Sequence, residues 1–128
     1  MKPIEGQSLR ILVVEDEPAI CQVCLRTLTA EGFEVDIAVN GAIAGKMLGE
    51  KKYDLCLIDI RTPIMNGREL YQYIRDNYPN FTGKIIFTTG DVLDEKLASM
   101  LKGAERPYLP KPFTPDELKA IVKETLEG

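Results

Sequence analysis

The sequence predicts an α/β fold in which a five-stranded parallel sheet carries helices on both faces. Short apolar runs alternate five times with stretches whose apolar residues recur at helical spacing, the pattern of repeated strand-helix units. The third run, residues 55–58, is apolar at every position, as in a strand buried on both faces of a parallel sheet. It ends in the carboxylate of Asp59, and α/β proteins bind ligands beyond such strand ends.

The five apolar runs are predicted to be the strands of this sheet. Right-handed crossovers through the intervening helices make neighbouring strands parallel and cover the sheet on both sides. Arg10 interrupts the first run, and the last run is short. The predicted strands are residues 9–14, 33–39, 55–58, 85–88 and 106–109.

Five helices are predicted between and after these strands. Pro18 suits the first turn of the first helix, Asn40 opens the second, and the third stops before Pro79. Asp91 is the predicted cap of the fourth, and residues 114–117 form a capping box that starts the fifth. Their apolar stripes are Ile20, Val23, Cys24, Thr27 and Leu28; Ala44, Met47 and Leu48; Leu70, Tyr73 and Ile74; Leu93, Leu97, Met100 and Leu101; and Leu118, Ile121, Val122 and Leu126.

Length and composition indicate one ordinary globular domain. The chain has 128 residues, of which 45% are hydrophobic and 28% charged. We predict a flexible lead-in over residues 1–8 and a single domain over residues 9–127. No apolar stretch approaches the roughly 20 residues that cross a bilayer, so membrane insertion is not expected. The net charge of −4 does not support direct nucleic-acid binding.

The cysteine and histidine counts bound the chemistry further. An odd number of cysteines, three, without a secretory signal predicts free thiols in a reducing compartment, and hence a cytoplasmic location. The absence of histidine excludes imidazole catalysis and His metal ligation within this chain.

Three carboxylates lie at predicted strand ends: Glu15 and Asp16 after the first strand and Asp59 after the third. If those strands are neighbours, their ends lie about 4.8 Å apart. Acidic groups that close repel one another unless a cation intervenes, and an all-oxygen ligand set fits Mg²⁺ or Mn²⁺. The alternative is that the acidic stretch only favours the helix start through the helix dipole.

Two further strand ends supply a hydroxyl and an ammonium group. Thr88 and Thr89 end the fourth strand, and Lys111 follows the fifth. Neighbouring residues of a strand face opposite sides of the sheet, so the two threonines compete for the role of hydroxyl donor. A carboxylate nucleophile, a metal site, a hydroxyl and a lysine are the parts that phosphoryl transfer requires.

Together these motifs make residues 9–127 resemble a response-regulator receiver domain of two-component signalling. The matching motifs share their position at strand ends and occur in the family's order. They are Glu15-Asp16, the apolar strand into Asp59, Pro63 with Asn66-Gly67, Thr89-Gly90 and Lys111-Pro112-Phe113. The resemblance implies strand order 2-1-3-4-5. The run from Tyr108 to Phe113 is similar to receivers that are fused to histidine kinases.

The resemblance also implies a role for each site residue. Asp59 corresponds to the phosphoacceptor, Thr89 to the residue that hydrogen-bonds the phosphoryl group, and Lys111 to its cationic partner. Asp16 and Asp59 would bind Mg²⁺ directly, together with the backbone carbonyl of Arg61. Glu15 would contribute through water.

Signalling partners and a switch follow from the same resemblance. The phosphodonor would be a histidine kinase or a histidine phosphotransfer domain. Tyr108 stands at the family's aromatic switch position, and the face made by the fourth helix, fifth strand and fifth helix would bind a partner or a second copy. The Lys111–Pro112 peptide bond is expected to be cis.

The chain departs from the common family pattern at several positions near the acceptor. Glu15 stands where many members have Asp, and its longer arm would change how it meets a metal. Arg61 places a long cation beside the site, where it would alter dephosphorylation. Pro110 removes a backbone donor from the fifth strand, which is tolerated because the expected strand order puts that strand at an edge.

Other interpretations remain open from the sequence. Cys21 and Cys24 have the spacing of a redox pair but lie inside a predicted helix, where the dipole lowers a thiol pKa little. A metal-dependent phosphohydrolase of the haloacid-dehalogenase type would have a second Asp at position 61, and a flavodoxin-like flavin protein would have a Ser/Thr-rich loop after the first strand. A receiver-like scaffold that never accepts phosphate is the remaining alternative.

Overall fold

The computed structural model describes residues 8–90 and 95–127, which form a parallel sheet with helices on both faces. The sheet order is β2-β1-β3-β4-β5, as the resemblance implied. The strands are β1 (Arg10–Val14), β2 (Glu34–Ala38), β3 (Leu55–Asp59), β4 (Ile85–Thr89) and β5 (Tyr108–Pro110). Every neighbouring pair of strands is parallel, so all five carboxyl ends lie at one edge.

One α-helix follows each of the five strands, and the predicted starts of the first two helices are confirmed. Pro18 lies at the first helical position of α1, and the Asn40 side chain accepts a hydrogen bond from the Ile43 amide at 2.8 Å to cap α2. The helices are α1 (Pro18–Ala30), α2 (Gly41–Glu50), α3 (Gly67–Asn77), α4 (Glu95–Ala104) and α5 (Pro115–Glu127). Within the described ranges, no helix is long and apolar enough to cross a membrane.

Two hydrophobic cores lie on opposite faces of the sheet because strand side chains alternate. On one face, Ile11, Val13, Leu55 and Leu57 pack with residues of α1 and α5. On the other face, the alternate strand residues pack with residues of α2 and α3. The odd-numbered positions of β1 and β3 thus point towards α1 and α5, and this alternation continues into the functional residues at the strand ends.

The observed elements differ from the sequence prediction mainly at their ends. Strand β5 begins at Tyr108 rather than at residue 106, and the Phe87 amide donates to the carbonyl of Pro107 at 3.0 Å. Pro107 has no amide proton, so it cannot continue the ladder towards Arg106. The predicted cap at Asp91, like the apolar position 93 and the lead-in over residues 1–7, lies outside the described residues.

A short 3₁₀ helix, Pro79–Lys84, joins α3 to β4 and was not predicted. At the junction, the Tyr78 amide donates to the Ile74 carbonyl at 2.6 Å, and the Phe81 amide donates to the Tyr78 carbonyl at 2.9 Å. Helix α3 does stop before Pro79, as expected from the missing amide proton of proline.

Candidate functional site

The carboxyl ends of β1, β3 and β5 bring the predicted acidic and basic residues together. Strand β1 pairs directly with β3, so Glu15, which follows β1, lies beside Asp59 at the end of β3. Both carboxylates are almost fully buried, with 1% and 3% of each residue exposed. Lys111 reaches the same point from beyond β5, with 9% of its side chain exposed.

The Lys111 ammonium group is the centre of this site because it contacts three carboxylates. Its Nζ atom lies 2.7 Å from Glu15 Oε1, 3.0 Å from Asp59 Oδ2 and 3.0 Å from Glu17 Oε1. Asp59 and Glu17 accept hydrogen bonds from this ammonium group, and Glu15 Oε1, the nearest carboxylate oxygen, is paired with its charge. The buried charges of Glu15 and Asp59 are therefore paired rather than isolated, which is the condition for keeping charge in a protein interior.

Burial and charge repulsion oppose ionisation of Glu15. Burial raises the pKa of its carboxyl to about 7, with a further increase from the Asp59 charge, and the hydrogen bond from Lys111 only partly reverses the effect. Burial alone would lower the pKa of Lys111, but its bonds to Glu15, Asp59 and Glu17 outweigh burial and raise that pKa. The site thus holds excess negative charge that a divalent cation would relieve.

Glu17 belongs to the acidic cluster, although the sequence analysis did not select it as a site residue. Carboxylate oxygens of Glu15, Glu17 and Asp59 all lie within 4.8 Å of one another, and this all-oxygen set fits Mg²⁺. Asp16, the expected direct ligand, is exposed and does not belong to that close group, but it lines the same cavity as Asp59. The sequence signal that could have identified Glu17 was its position two residues after Glu15, in the same acidic stretch.

Backbone and side-chain hydrogen bonds hold the turn that follows Asp59. The Arg61 amide donates to Asp59 Oδ1 at 3.0 Å, and the Thr62 hydroxyl donates to the Asp59 carbonyl at 3.1 Å. The two carboxylate oxygens of Asp59 thus have different partners, a backbone amide and an ammonium group. Arg61 lines the cavity, and metal binding by its carbonyl stays a prediction.

The structure separates the two candidate hydroxyls by sheet face. Thr88 pairs with Asp59 in the sheet register. Strand alternation puts Thr88 on the sheet face of Asp59 and Thr89, the last residue of β4, on the face of Phe87. Both threonines are 1% exposed, and the Thr88 hydroxyl has no hydrogen-bond partner among the described residues. The Tyr108 hydroxyl lies 3.5 Å from the Thr89 carbonyl, which links the two predicted switch positions.

The backbone that joins β5 to α5 contains a cis peptide bond, and a separate hydrogen bond holds Lys111 at the end of β4. The Lys111–Pro112 peptide bond is cis, which confirms the expectation from the resemblance. The Lys111 amide donates to the Thr89 carbonyl at 3.0 Å, so the residue is bound to the end of β4. The capping box at the start of α5 is also confirmed: the Thr114 amide donates to Glu117 at 2.8 Å, and the Glu117 amide donates to the Thr114 hydroxyl at 3.1 Å.

The cysteines have the environment of structural thiols. Cys24 is fully buried in the core, and burial raises its pKa to about 12. Burial, with the nearby charges of Glu15 and Asp16, also raises the pKa of Cys21. Since the thiolate is the reactive form, these shifts disfavour redox chemistry at this pair.

Comparison with known proteins identifies the family of this chain. The model of the response regulator receiver domain matches residues 11–123. The chain belongs to this family. The response regulators MprA of Mycobacterium ulcerans and Mycobacterium tuberculosis are each 33% identical to it over 122 residues, covering 93% of this chain and 50% and 51% of theirs. The chain thus spans about half the length of these curated relatives.

Solved receiver structures share the same fold. A CheY-like receiver domain protein from Methanospirillum hungatei is 30% identical with a TM-score of 0.84, covering 94% of this chain and 95% of that chain. The receiver domain of the sensor histidine kinase PA1611 from Pseudomonas aeruginosa, with magnesium coordinated in its active-site cleft, is 28% identical with a TM-score of 0.85. That match covers 95% of this chain and 100% of the other. Receiver domains are signalling modules of two-component systems, whose partners are histidine kinases or phosphotransfer proteins.

Proposed function

We propose that this receiver accepts a phosphoryl group from a phosphohistidine donor onto Asp59, with Mg²⁺, and that phosphorylation switches a partner-binding surface. The observation that carries this proposal is the contact of the buried Asp59 carboxylate with the Lys111 ammonium group at 3.0 Å. A buried carboxylate held beside a cation at the open edge of a parallel sheet is suited to covalent phosphoryl acceptance.

In the transfer step, a carboxylate oxygen of Asp59 forms a bond to phosphorus while the bond from phosphorus to the donor imidazole nitrogen breaks. The bonding electron pair leaves with the imidazole. Lys111 neutralises charge on the phosphoryl oxygens. Thr89 is the proposed hydroxyl donor to them because it ends β4, where its carbonyl accepts the bond from the Lys111 amide. These residues belong to the receiver itself, so we propose that it catalyses its own phosphorylation and dephosphorylation.

The chain offers oxygen ligands for the proposed Mg²⁺ ion. Asp16 and Asp59 are the proposed direct carboxylate ligands, with the Arg61 carbonyl, and Glu15 contributes through water; Mn²⁺ would fit the same oxygen set. The ion would supply positive charge that draws the phosphoryl oxygens into an otherwise acidic cleft. This role is supported by the close approach of the Glu15 and Asp59 carboxylates.

The proposed switch connects Thr89 to Tyr108. Tyr108 is half-buried, pairs with Phe87 in the sheet register, and its hydroxyl lies 3.5 Å from the Thr89 carbonyl. A phosphoryl group on Asp59 adds up to two negative charges and draws the Thr89 hydroxyl towards it. We propose that Tyr108 then turns inward and changes the α4-β5-α5 face, where a partner or a second copy binds. A cytoplasmic location remains part of this proposal.

The test is phosphorylation by a small-molecule donor. With acetyl phosphate and Mg²⁺, mass spectrometry should show one phosphoryl group on the wild-type chain and none when Mg²⁺ is chelated. Asp59→Ala should lose the adduct, whereas Asp54→Ala, which removes a carboxylate at the other end of β3, should keep it. An undiminished adduct on Asp59→Ala would refute the assignment.

The same experiment, repeated with a phosphomonoester as the donor, separates the alternatives. A scaffold that never accepts phosphate would give no adduct with any donor. A phosphohydrolase would release inorganic phosphate continuously from a phosphomonoester, whereas a receiver should accumulate the acyl phosphate.

A further inference from the structure

Glu17 has a side chain whose position the helix start does not explain. It is the N-cap residue of α1, where Ser, Thr, Asp or Asn usually accept a bond from the first helical turn. Its side chain makes no such capping bond. Glu15 Oε2 instead accepts from the Asp16 amide at 3.1 Å and from the Glu17 amide at 3.2 Å. The Glu17 carboxylate is thus left to serve another group.

That group is Lys111, 94 residues further along the chain. Its Nζ donates to Glu17 Oε1 at 3.0 Å, and the lysine side chain is nearly buried while that of Glu17 is 60% exposed. The ammonium group therefore lies between two buried carboxylates and one carboxylate at the mouth of the cavity. Of its three partners, Glu17 alone is absent from the ligand set proposed above.

The proposed cation and Lys111 compete for the negative charge of the same two carboxylates. Lys111 contacts Glu15 Oε1 and Asp59 Oδ2 directly. A divalent cation that binds Asp59, and Glu15 through water, would repel the ammonium group and take up the charge of these two carboxylates. A nearly buried ammonium group that loses two of three anionic partners needs the third to remain charged at low cost. Glu17 is long enough to reach it and is exposed enough to move with it.

We infer that Glu17 is a positioning residue: it holds the Lys111 ammonium group at the mouth of the cavity when a cation binds at Asp59 and, through water, at Glu15. From there Lys111 meets the incoming phosphoryl oxygens. This inference rests on the proposed function for its purpose, but the contact can be tested without any phosphodonor. Glu17 helps the cation indirectly by stabilising the lysine that the cation displaces.

The first test measures Mg²⁺ affinity by calorimetry without phosphodonor in wild type, Glu17→Gln and Glu17→Asp. Glu17→Asp keeps the negative charge but shortens the arm by one methylene, so it loses reach to Lys111. Both variants should raise the Mg²⁺ dissociation constant by about two- to fivefold, the range that a partly exposed ion pair supports. Asp116→Asn removes the same charge from a side chain that is 94% exposed on α5 and should leave the constant unchanged.

A double-mutant cycle with Lys111→Gln tests whether the effect passes through the lysine. In that background Glu17→Gln should no longer change the dissociation constant. A persisting effect would mean that Glu17 contacts the cation itself, and a wild-type constant for Glu17→Asp would mean that only its charge matters. Either result would overturn the inference.

The second readout is the Lys111 side chain, observed by NMR with Mg²⁺ bound. Its two Hε protons should have distinct shifts in the wild type and a single averaged shift in Glu17→Gln and Glu17→Asp. Unchanged, distinct shifts in the variants would also refute the positioning role. Thermal melts monitored by circular dichroism confirm that each variant is folded. If acetyl phosphate fails to label the wild type, the proposed function fails, whereas the calorimetric and NMR results still decide the role of Glu17.

Discussion

Replacing Gly67 by alanine should disturb the turn that follows Asp59. Gly67 is buried at the first position of α3, where an added Cβ would lie 2.7 Å from the Ile60 Cα and 3.1 Å from the Asp59 carbonyl oxygen. The nearest atom is backbone, so the chain after β3 must shift. Overpacking of this kind costs about 1–3 kcal/mol.

The matched control is Gly103→Ala, near the end of α4, where an added Cβ meets nothing within 4 Å among the described residues. There the substitution only reduces the freedom of the unfolded chain, which should stabilise the protein by about 0.5 kcal/mol. For 128 residues, the entropy of unfolding is about 0.27 kcal/mol per kelvin, so 1 kcal/mol corresponds to about 4 °C in Tm.

Thermal denaturation followed by circular dichroism should therefore give a Tm lower by about 4–11 °C for Gly67→Ala and higher by about 2 °C for Gly103→Ala. Amide NMR shifts in Gly67→Ala should be concentrated in residues 58–62. A Gly67→Ala protein as stable as the wild type would show that the close approach of α3 to the β3 turn does not constrain the backbone, and would refute the reasoning.

Three further predictions concern the hydrophobic core, a hydrogen-bonded carboxylate and the proposed switch. Phe87→Ala removes a fully buried ring and should lower the free energy of unfolding, measured in urea, by about 3–5 kcal/mol; a loss below 1 kcal/mol would contradict the packing. Burial raises the pKa of the Asp36 carboxyl, but the hydrogen bonds from Tyr53 at 2.8 Å and from a lysine outweigh burial and lower that pKa. The ionised carboxylate therefore stabilises the fold at neutral pH, and this contribution is lost as the pH falls below about 3.9, the ordinary pKa of an aspartic acid. Tyr53→Phe should cost about 1 kcal/mol at pH 7, and the difference from wild type should narrow in melts below pH 4; a constant difference would exclude this linkage. Beryllofluoride with Mg²⁺ should shift NMR signals from Asp59 through to Tyr108 and its flanking helices, whereas shifts confined to the pocket would refute the switch and leave the acceptor role intact.

The sequence by itself determined the alternation of strands and helices and the polar residues at strand ends. Local signals were sufficient where the interactions are local. The capping box at residues 114–117 is confirmed because Thr114 and Glu117 are three residues apart, within reach of each other's backbone in any helix. The buried β3 was evident because apolar side chains on both faces leave no other environment for it. The sheet order and the cis bond before Pro112 came from family resemblance, not from local physics.

Tertiary structure alone decided which charged groups meet. Lys111 and Glu17 are 94 residues apart and are joined by long side chains whose direction depends on the turn after β5, so no local pattern could pair them. The same reason explains why Glu17 rather than Asp16 joins the closest carboxylates: consecutive residues at a helix start point in different directions, and only their placement against β3 selects one. Strand register likewise decided which of the two threonines pairs with Asp59. Side chains alternate along a strand, and the register of β4 with β3 pairs Thr88, not Thr89, with Asp59.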